Sequence, residues 1–154
     1  MRLIIKYVFV LFGFLLVLNN ASAQQKSRVN IEHSDSYRYN SRLGKDIQRL
    51  IGNVVIRQDS TLFYCDSAYI NESKNSFEAF SNVHIKVNDT VDVYGSRLLY
   101  EGNTKIAELF DSVKLVDKNT VLTTDHLIYN RNSKTALYDL GGRIVNKDNV
   151  LVSK

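Results

Sequence analysis

The sequence predicts an all-β chain assembled from stacked units of about thirty residues. Three observations lead there: segments of the 154-residue chain align at a nearly constant step, their apolar residues alternate with a period of two, and proline is absent. Gly52-Asn53-Val54-Val55-Ile56-Arg57 aligns with Ser81-Asn82-Val83-His84-Ile85-Lys86 one step on, and with Asp111-Ser112-Val113-Lys114-Leu115-Val116 a further step on. Polar turns recur in register as Asp59-Ser60-Thr61, Asn88-Asp89-Thr90 and Lys118-Asn119-Thr120. The middle of each unit repeats too, in Asp66-Ser67-Ala68-Tyr69, Gly95-Ser96-Arg97-Leu98 and Asp125-His126-Leu127-Ile128. Asp35, one step before Asp66, begins an incomplete first unit, and Ile144 and Asp148-Asn149 belong to an incomplete last one.

The array is preceded by an address. Arg2 and Lys6 lead into an uncharged apolar run, Tyr7 to Leu18, which ends in Asn19-Asn20 and Ala21-Ser22-Ala23. A basic start, a short apolar stretch and a small-x-small site predict an export signal cut after Ala23, and the run is too short for a membrane span of about 20 residues. Residues 24–154 then form one exported domain. Removing the leader also removes Arg2 and Lys6, so 18 basic side chains face 16 acidic ones and the net charge falls from +4 to +2. That balance does not mark a nucleic-acid binder.

Each unit is expected to hold three short strands. The first alternates Val54/Ile56, Val83/Ile85 and Val113/Leu115 with outward Val55, His84 and Lys114, as a half-buried strand does. The second spans residues 61–70, 90–100 and 120–129, and the third spans 76–80, 106–110 and 136–140. Helical periodicity is faint and confined to the leader and residues 45–51. A lone unit cannot bury its apolar side, so stacking aligns columns: Ile56, Ile85, Leu115 and Ile144 in one, Leu62, Val91, Val121 and Val150 in another. Proline would break such a ladder. Gly52, Gly95, Gly102, Gly141 and Gly142 fall at seams or turns, where a positive φ would be cheap.

Composition excludes several functions. A chain that is 44% hydrophobic and 23% charged is not disordered. One cysteine, Cys65, cannot form an internal disulfide and reads as a small apolar strand residue. His33, His84 and His126 occupy unrelated slots, so no metal site is expected. Asp66 and Asp125 recur where Asp bends a backbone, and no HExxH, GxSxG or phosphate-cradling loop occurs. The chain is therefore expected to be neither an enzyme nor a cofactor protein. Arg57, Lys86, Lys114 and Arg143 lie on the outward side of the first strands; a solvated face with edge-protecting charges and a row facing an anionic lipid are both open readings. The recurring aromatics, from Tyr64 to Tyr138, fit a core or the lining of an interior that the sheet leaves unfilled.

Gln48-Arg49-Leu50-Ile51-Gly52-Asn53-Val54-Val55 followed by Leu62-Phe63-Tyr64-Cys65-Asp66-Ser67-Ala68-Tyr69 resembles the OstA-like proteins related to LptA. Glu78-Ala79-Phe80-Ser81-Asn82-Val83-His84-Ile85 and Leu99-Tyr100-Glu101-Gly102-Asn103-Thr104-Lys105-Ile106-Ala107 extend the likeness, which covers residues 29–154. The resemblance implies an antiparallel β-jellyroll slit open along one side, with an apolar interior. It implies shielding of lipopolysaccharide acyl chains in transit across the periplasm, for outer-membrane assembly. The implied partners are lipopolysaccharide or a related lipid, similar jellyroll proteins or a second copy joined head to tail through edge strands, and the outer-membrane assembly machinery. It brings no catalytic residue, cofactor, metal or nucleic acid. The candidate ligand contacts are the inner apolar positions Val54, Ile56, Leu62, Val83, Ile85, Val91, Val113, Leu115, Val121 and Ile144. The final Val150-Leu151-Val152 stands in a second strand with no third after it, so a truncated chain or a groove completed by a partner strand is expected. The competing expectation is a structural solenoid of the cell envelope with a filled core.

Overall fold

The computed structural model describes residues 27–39, 46–147 and 149–153. The expected leader, residues 1–23, lies outside them. Every regular element described is a strand. Two short ones, β1 (Asn30–His33) and β2 (Ser36–Tyr39), precede six long ones: β3 (Ile47–Gln58), β4 (Thr61–Asn71), β5 (Ser76–Val87), β6 (Val91–Glu101), β7 (Ile106–Asp117) and β8 (Thr120–Asn130). Three short strands follow, β9 (Thr135–Leu137), β10 (Gly142–Asn146) and β11 (Asn149–Ser153). The long strands pair in chain order. β1 and β2 both pair with β3, β9 and β10 both pair with β8, and β11 pairs with β10. All pairs are antiparallel and the sheet does not close, as expected for a slit jellyroll.

The unit architecture differs from the expected three short strands. The third strand of one unit and the first of the next are halves of one long strand, so Ser76–Val87 and Ile106–Asp117 each run straight through a seam. The seam is a bend within the strand. Pairs of left-handed residues stand there: Gly52-Asn53 (φ 79° and 44°), Ser81-Asn82 (60° and 52°) and Asp111-Ser112 (63° and 54°). Each ladder between long strands skips at a matching place, between Ile51 and Val54, Tyr64 and Ser67, Phe80 and Val83, Tyr94 and Arg97, and Phe110 and Val113. Aligned bulges kink the long strands along one line, folding the sheet into two half-sheets with facing inner sides.

Aspartates tie the first two of these bends, the role expected of Asp66. Asn53 Nδ2 donates to Asp35 Oδ2 at 2.9 Å, and one repeat later Asn82 Nδ2 donates to Asp66 Oδ2 at 2.8 Å. Asn and Asp tolerate the left-handed region because their short polar side chains bond locally. Gly52 is further constrained, since a Cβ there would lie 2.3 Å from Asp35 Oδ2. Of the five seam and turn glycines, Gly52 and Gly141 use that freedom. Gly102 is needed for close approach instead: an added Cβ would meet the Asn75 carbonyl oxygen at 2.5 Å. Residues 47–51, with their faint helical pattern, form strand, because pairing with Ser67–Asn71 overrides so short a preference.

The core consists of rows running across the strands. In the first half-sheet, Ile31, Ile56, Phe63, Ile85, Val93, Leu115, Leu122, Ile144 and Leu151 are successive cross-strand partners. In the second, Leu50, Ala68, Ala79, Leu98, Leu109 and Leu127 pair in sequence, beside Ile70, Phe77, Tyr100, Ala107 and Tyr129. Cys65 lies in this core as expected, and burial pushes its thiol up to about 12, which leaves it inert near neutrality.

Candidate functional site

The two half-sheets meet across the slit at strand ends, and the first meeting is sealed. Gln58, the fully buried last residue of β3, donates through Nε2 to the Gly102 carbonyl at 2.8 Å and to the Ser27 carbonyl at 3.2 Å. Its Oε1 accepts from the Tyr100 hydroxyl and from Arg131 Nη1, the latter at 3.1 Å. Arg131 also donates to the Tyr100 hydroxyl and to the Gln58 carbonyl, and its guanidinium lies 5.8 Å from the ring centres of both Phe63 and Tyr100. Beside them, Asp59 accepts from Lys105 Nζ at 2.7 Å and from Ser27 Oγ at 2.6 Å, with Arg131 Nη2 at 4.0 Å.

This environment shifts both acids. Hydrogen bonds from Lys105, then Ser27, hold the Asp59 carboxyl below its ordinary value. Burial raises the Tyr100 phenol to about 12 against the opposing pull of Arg131. Behind this polar latch Phe63, Phe77 and Tyr100 pack with centroids 4.6–5.1 Å apart, so the first repeat is filled. The partly buried Val29 and Ile31 pack against this core, and Val29 N donates to Asn75 Oδ1 at 2.8 Å.

One repeat later the latch is missing. The repeat step carries Gln58 to Val87, Asp59 to Asn88, Tyr100 to Tyr129 and Lys105 to Lys134. Valine offers no hydrogen bond, and asparagine offers no charge. A cavity of about 440 Å³ opens there, lined by Val87, Val91, Leu115, Tyr129 and Ala136, with Asn88, Asp117, Lys118 and Lys134 exposed around it. The size lies within the roughly 300–1,000 Å³ usual for small-ligand sites. Burial, and then the charge of Asp117, raises the Tyr129 phenol. Toward the last strands the apolar row loses cover: Ile85 and Val93 are fully buried, while Leu151 is 61% exposed.

Most of the candidate residues lie on the inner side. Val54, Ile56, Val83, Ile85, Val113 and Leu115 are buried, and the half-buried Val91 and Ile144 pack against them. Of the ten, Val91 and Leu115 line the open cavity. Leu62 and Val121 face outward, contrary to expectation. Leu62 sits between buried Thr61 and Phe63 and pairs with Arg57 and Lys86; Val121 adjoins buried Leu122 and pairs with Val116 and Val145. The cause is a single inserted position. The β3–β4 and β7–β8 turns hold two residues, whereas the β5–β6 turn holds three, Asn88 to Thr90. Val91 is thus equivalent to Thr61 and Thr120, and a one-residue slip reverses the face of every side chain.

The four outward basic residues do not form a single file. Arg57 and Lys86 share one cross-strand row, Lys114 and Arg143 another. Arg57 Nε is 2.7 Å from Glu32. Two of the three histidines make cross-strand contacts on the outer face. His84 stacks between Tyr64 and Tyr94 with Nε2 2.7 Å from Asp92, and His126 is bracketed by Asp139 at 2.7 Å and Glu108 at 2.9 Å. Hydrogen bonding to Asp139, then Glu108, raises the His126 pKa, and that of Asp139 is lowered in return. Sequence reasoning missed the latch residues Gln58, Asp59, Lys105 and Arg131; their signal was the change of residue type between equivalent strand ends.

A family model described as OstA-like protein matches residues 26–154. The chain belongs to the OstA-like family. Among solved structures, this OstA-like chain is similar to LptH of Pseudomonas aeruginosa, described as the LptA-homologous periplasmic component of the conserved lipopolysaccharide transport device. The similarity has a TM-score of 0.66 at 13% identity and covers 77% of this chain and 94% of that one, so it is a likeness of fold. No curated protein matches.

Proposed function

We propose that this OstA-like chain is a non-enzymatic carrier module that shields acyl chains of lipopolysaccharide, or of a related lipid, during transit across the periplasm to the outer membrane. The observation that carries this reading is the unlatched second repeat, where a cavity of about 440 Å³ with an apolar side (Val87, Val91, Leu115, Tyr129, Ala136) and a polar rim opens between the half-sheets. Family membership and the shared fold of a periplasmic lipopolysaccharide-transport component support it. Each buried CH₂ of an acyl chain contributes roughly 0.8 kcal/mol, so a chain reaching Val91 and Leu115 binds without a dedicated polar contact. A structural solenoid would be filled throughout; here the first repeat is filled and a cavity opens at the strand ends of the second.

Assembly fits the same proposal. The β11 edge presents Val150, Leu151 and Val152 at 55–65% exposure, continuing the inner row through the Ile144–Leu151 pair. A strand from a second copy or a related jellyroll would extend that row and cover it. The test is native mass spectrometry of the protein from a lipopolysaccharide-producing envelope. Wild-type protein is expected to carry lipid mass that a folded Val91→Asp variant loses. Equal lipid in both, or none in either, contradicts the proposal.

A further inference from the structure

The two cross-slit sites are copies of one another, and the charge missing from the second indicates what fills it. The same chain separation divides Asp59 from Lys105 and Asn88 from Lys134. In the first site the carboxylate and ammonium meet at 2.7 Å. In the second the lysine is kept while the carboxylate has become an amide. Lys118, which occupies the turn position of Asp59 and Asn88, brings another ammonium to the same cavity. Neither Lys118 nor Lys134 has an ion-pair partner among the described residues. The cavity lining carries one carboxylate, Asp117, against these two ammonium groups.

Resting on the carrier reading above, we propose that Lys134 and Lys118 hold the anionic head group, a carboxylate or phosphate, of an amphiphile whose apolar chain lies between the half-sheets. The head group stands in relation to Lys134 as Asp59 stands to Lys105. Lysine stems lie along apolar surface while their ammonium groups stay in water, which suits the rim of such a groove. The apolar floor beneath strengthens the attraction relative to open solvent, and salt weakens it. The cavity's volume fits one chain better than the several of a whole lipopolysaccharide molecule.

Isothermal titration of the protein, purified from the envelope of a host expressing the full chain, tests this with dodecyl phosphate and dodecyl maltoside. Wild type is expected to bind the phosphate about fivefold more tightly at low salt. The preference should vanish in Lys118→Gln/Lys134→Gln and in about 0.5 M NaCl, with maltoside affinity unchanged. Asn88→Asp supplies Lys134 with a carboxylate and should weaken phosphate binding alone. Equal wild-type affinities, or a preference that survives the double variant, overturn the head-group site while leaving the groove intact. Binding of neither amphiphile overturns the groove as well.

Discussion

The first and second repeats of this molecule share a backbone plan and differ in what closes them. In the first, Gln58, Asp59, Tyr100, Lys105 and Arg131 bridge the half-sheets, and three aromatic rings fill the space behind. In the second, Val87 and Asn88 replace the glutamine and the aspartate, and a cavity of about 440 Å³ opens at the strand ends. The strand-end side chains differ, and so do the rings behind them, since Phe63 and Phe77 of the first repeat correspond to Val93 and Ala107 of the second. The strands and bends are common to both, so the difference lies in the side chains at the slit and directly behind it.

The comparison can be broken most severely at Arg131. Arg131→Ala removes a buried cation and leaves Gln58 and Tyr100 without a partner they now share, which is expected to cost about 3 kcal/mol in urea unfolding. The damage should concentrate in the first repeat, with amide protection lost near Gln58 and Gly102 before the bends. Full stability in this variant would show that the latch is ornamental.

Gly52→Ala tests the bend that both repeats rely on. The residue has φ +79° and its Cβ would collide with Asp35, so a loss of about 2 kcal/mol is expected. Asn82→Ala breaks the equivalent tie to Asp66 at an exposed position, and about 1 kcal/mol is expected there. Denaturant midpoints in the reverse order would place the strain elsewhere.

The smallest effect concerns the segment between β9 and β10, which borders the open repeat. The fold raises the His126 pKa above 6.5 through Asp139 and Glu108. Its contribution is therefore fully present below about pH 6.5 and is lost as pH rises through the folded value. Arg97, two strands away on β6, is ion-paired with Glu78 at 2.6 Å and stacked over Phe110, so the two carboxylates set the direction. Amide exchange of residues 138–141 should quicken between pH 6 and 9 beyond its intrinsic rise, and His126→Gln should abolish the excess. An unchanged protection factor in wild type would contradict the clasp.

Much of the fold was legible because its signals are local. The alternation at Val54/Ile56 and its copies marks inward faces, and its return at a nearly constant step marks stacking. The bends were visible as seams but read as strand ends, since a left-handed pair such as Ser81-Asn82 resembles a turn in sequence. Leu62 and Val121 were misplaced because the extra residue of the Asn88–Thr90 turn is invisible until strands are paired. The latch joins residues as far apart as Gln58 and Arg131, and the contact depends on how far the half-sheets are offset. No periodicity carries that offset, so Val87 and Asn88 could not be read as the opening of a groove.

The central claim is that Val87 and Asn88 keep the second repeat open. Val87→Gln/Asn88→Asp grafts the first latch onto it, offering Gln to the Tyr129 hydroxyl and Asp to Lys134. Bound lipid counted by native mass spectrometry, beside a circular dichroism spectrum, decides the matter. Loss of lipid with an intact β spectrum is predicted; lipid retained at the wild-type level in the folded variant would contradict the account.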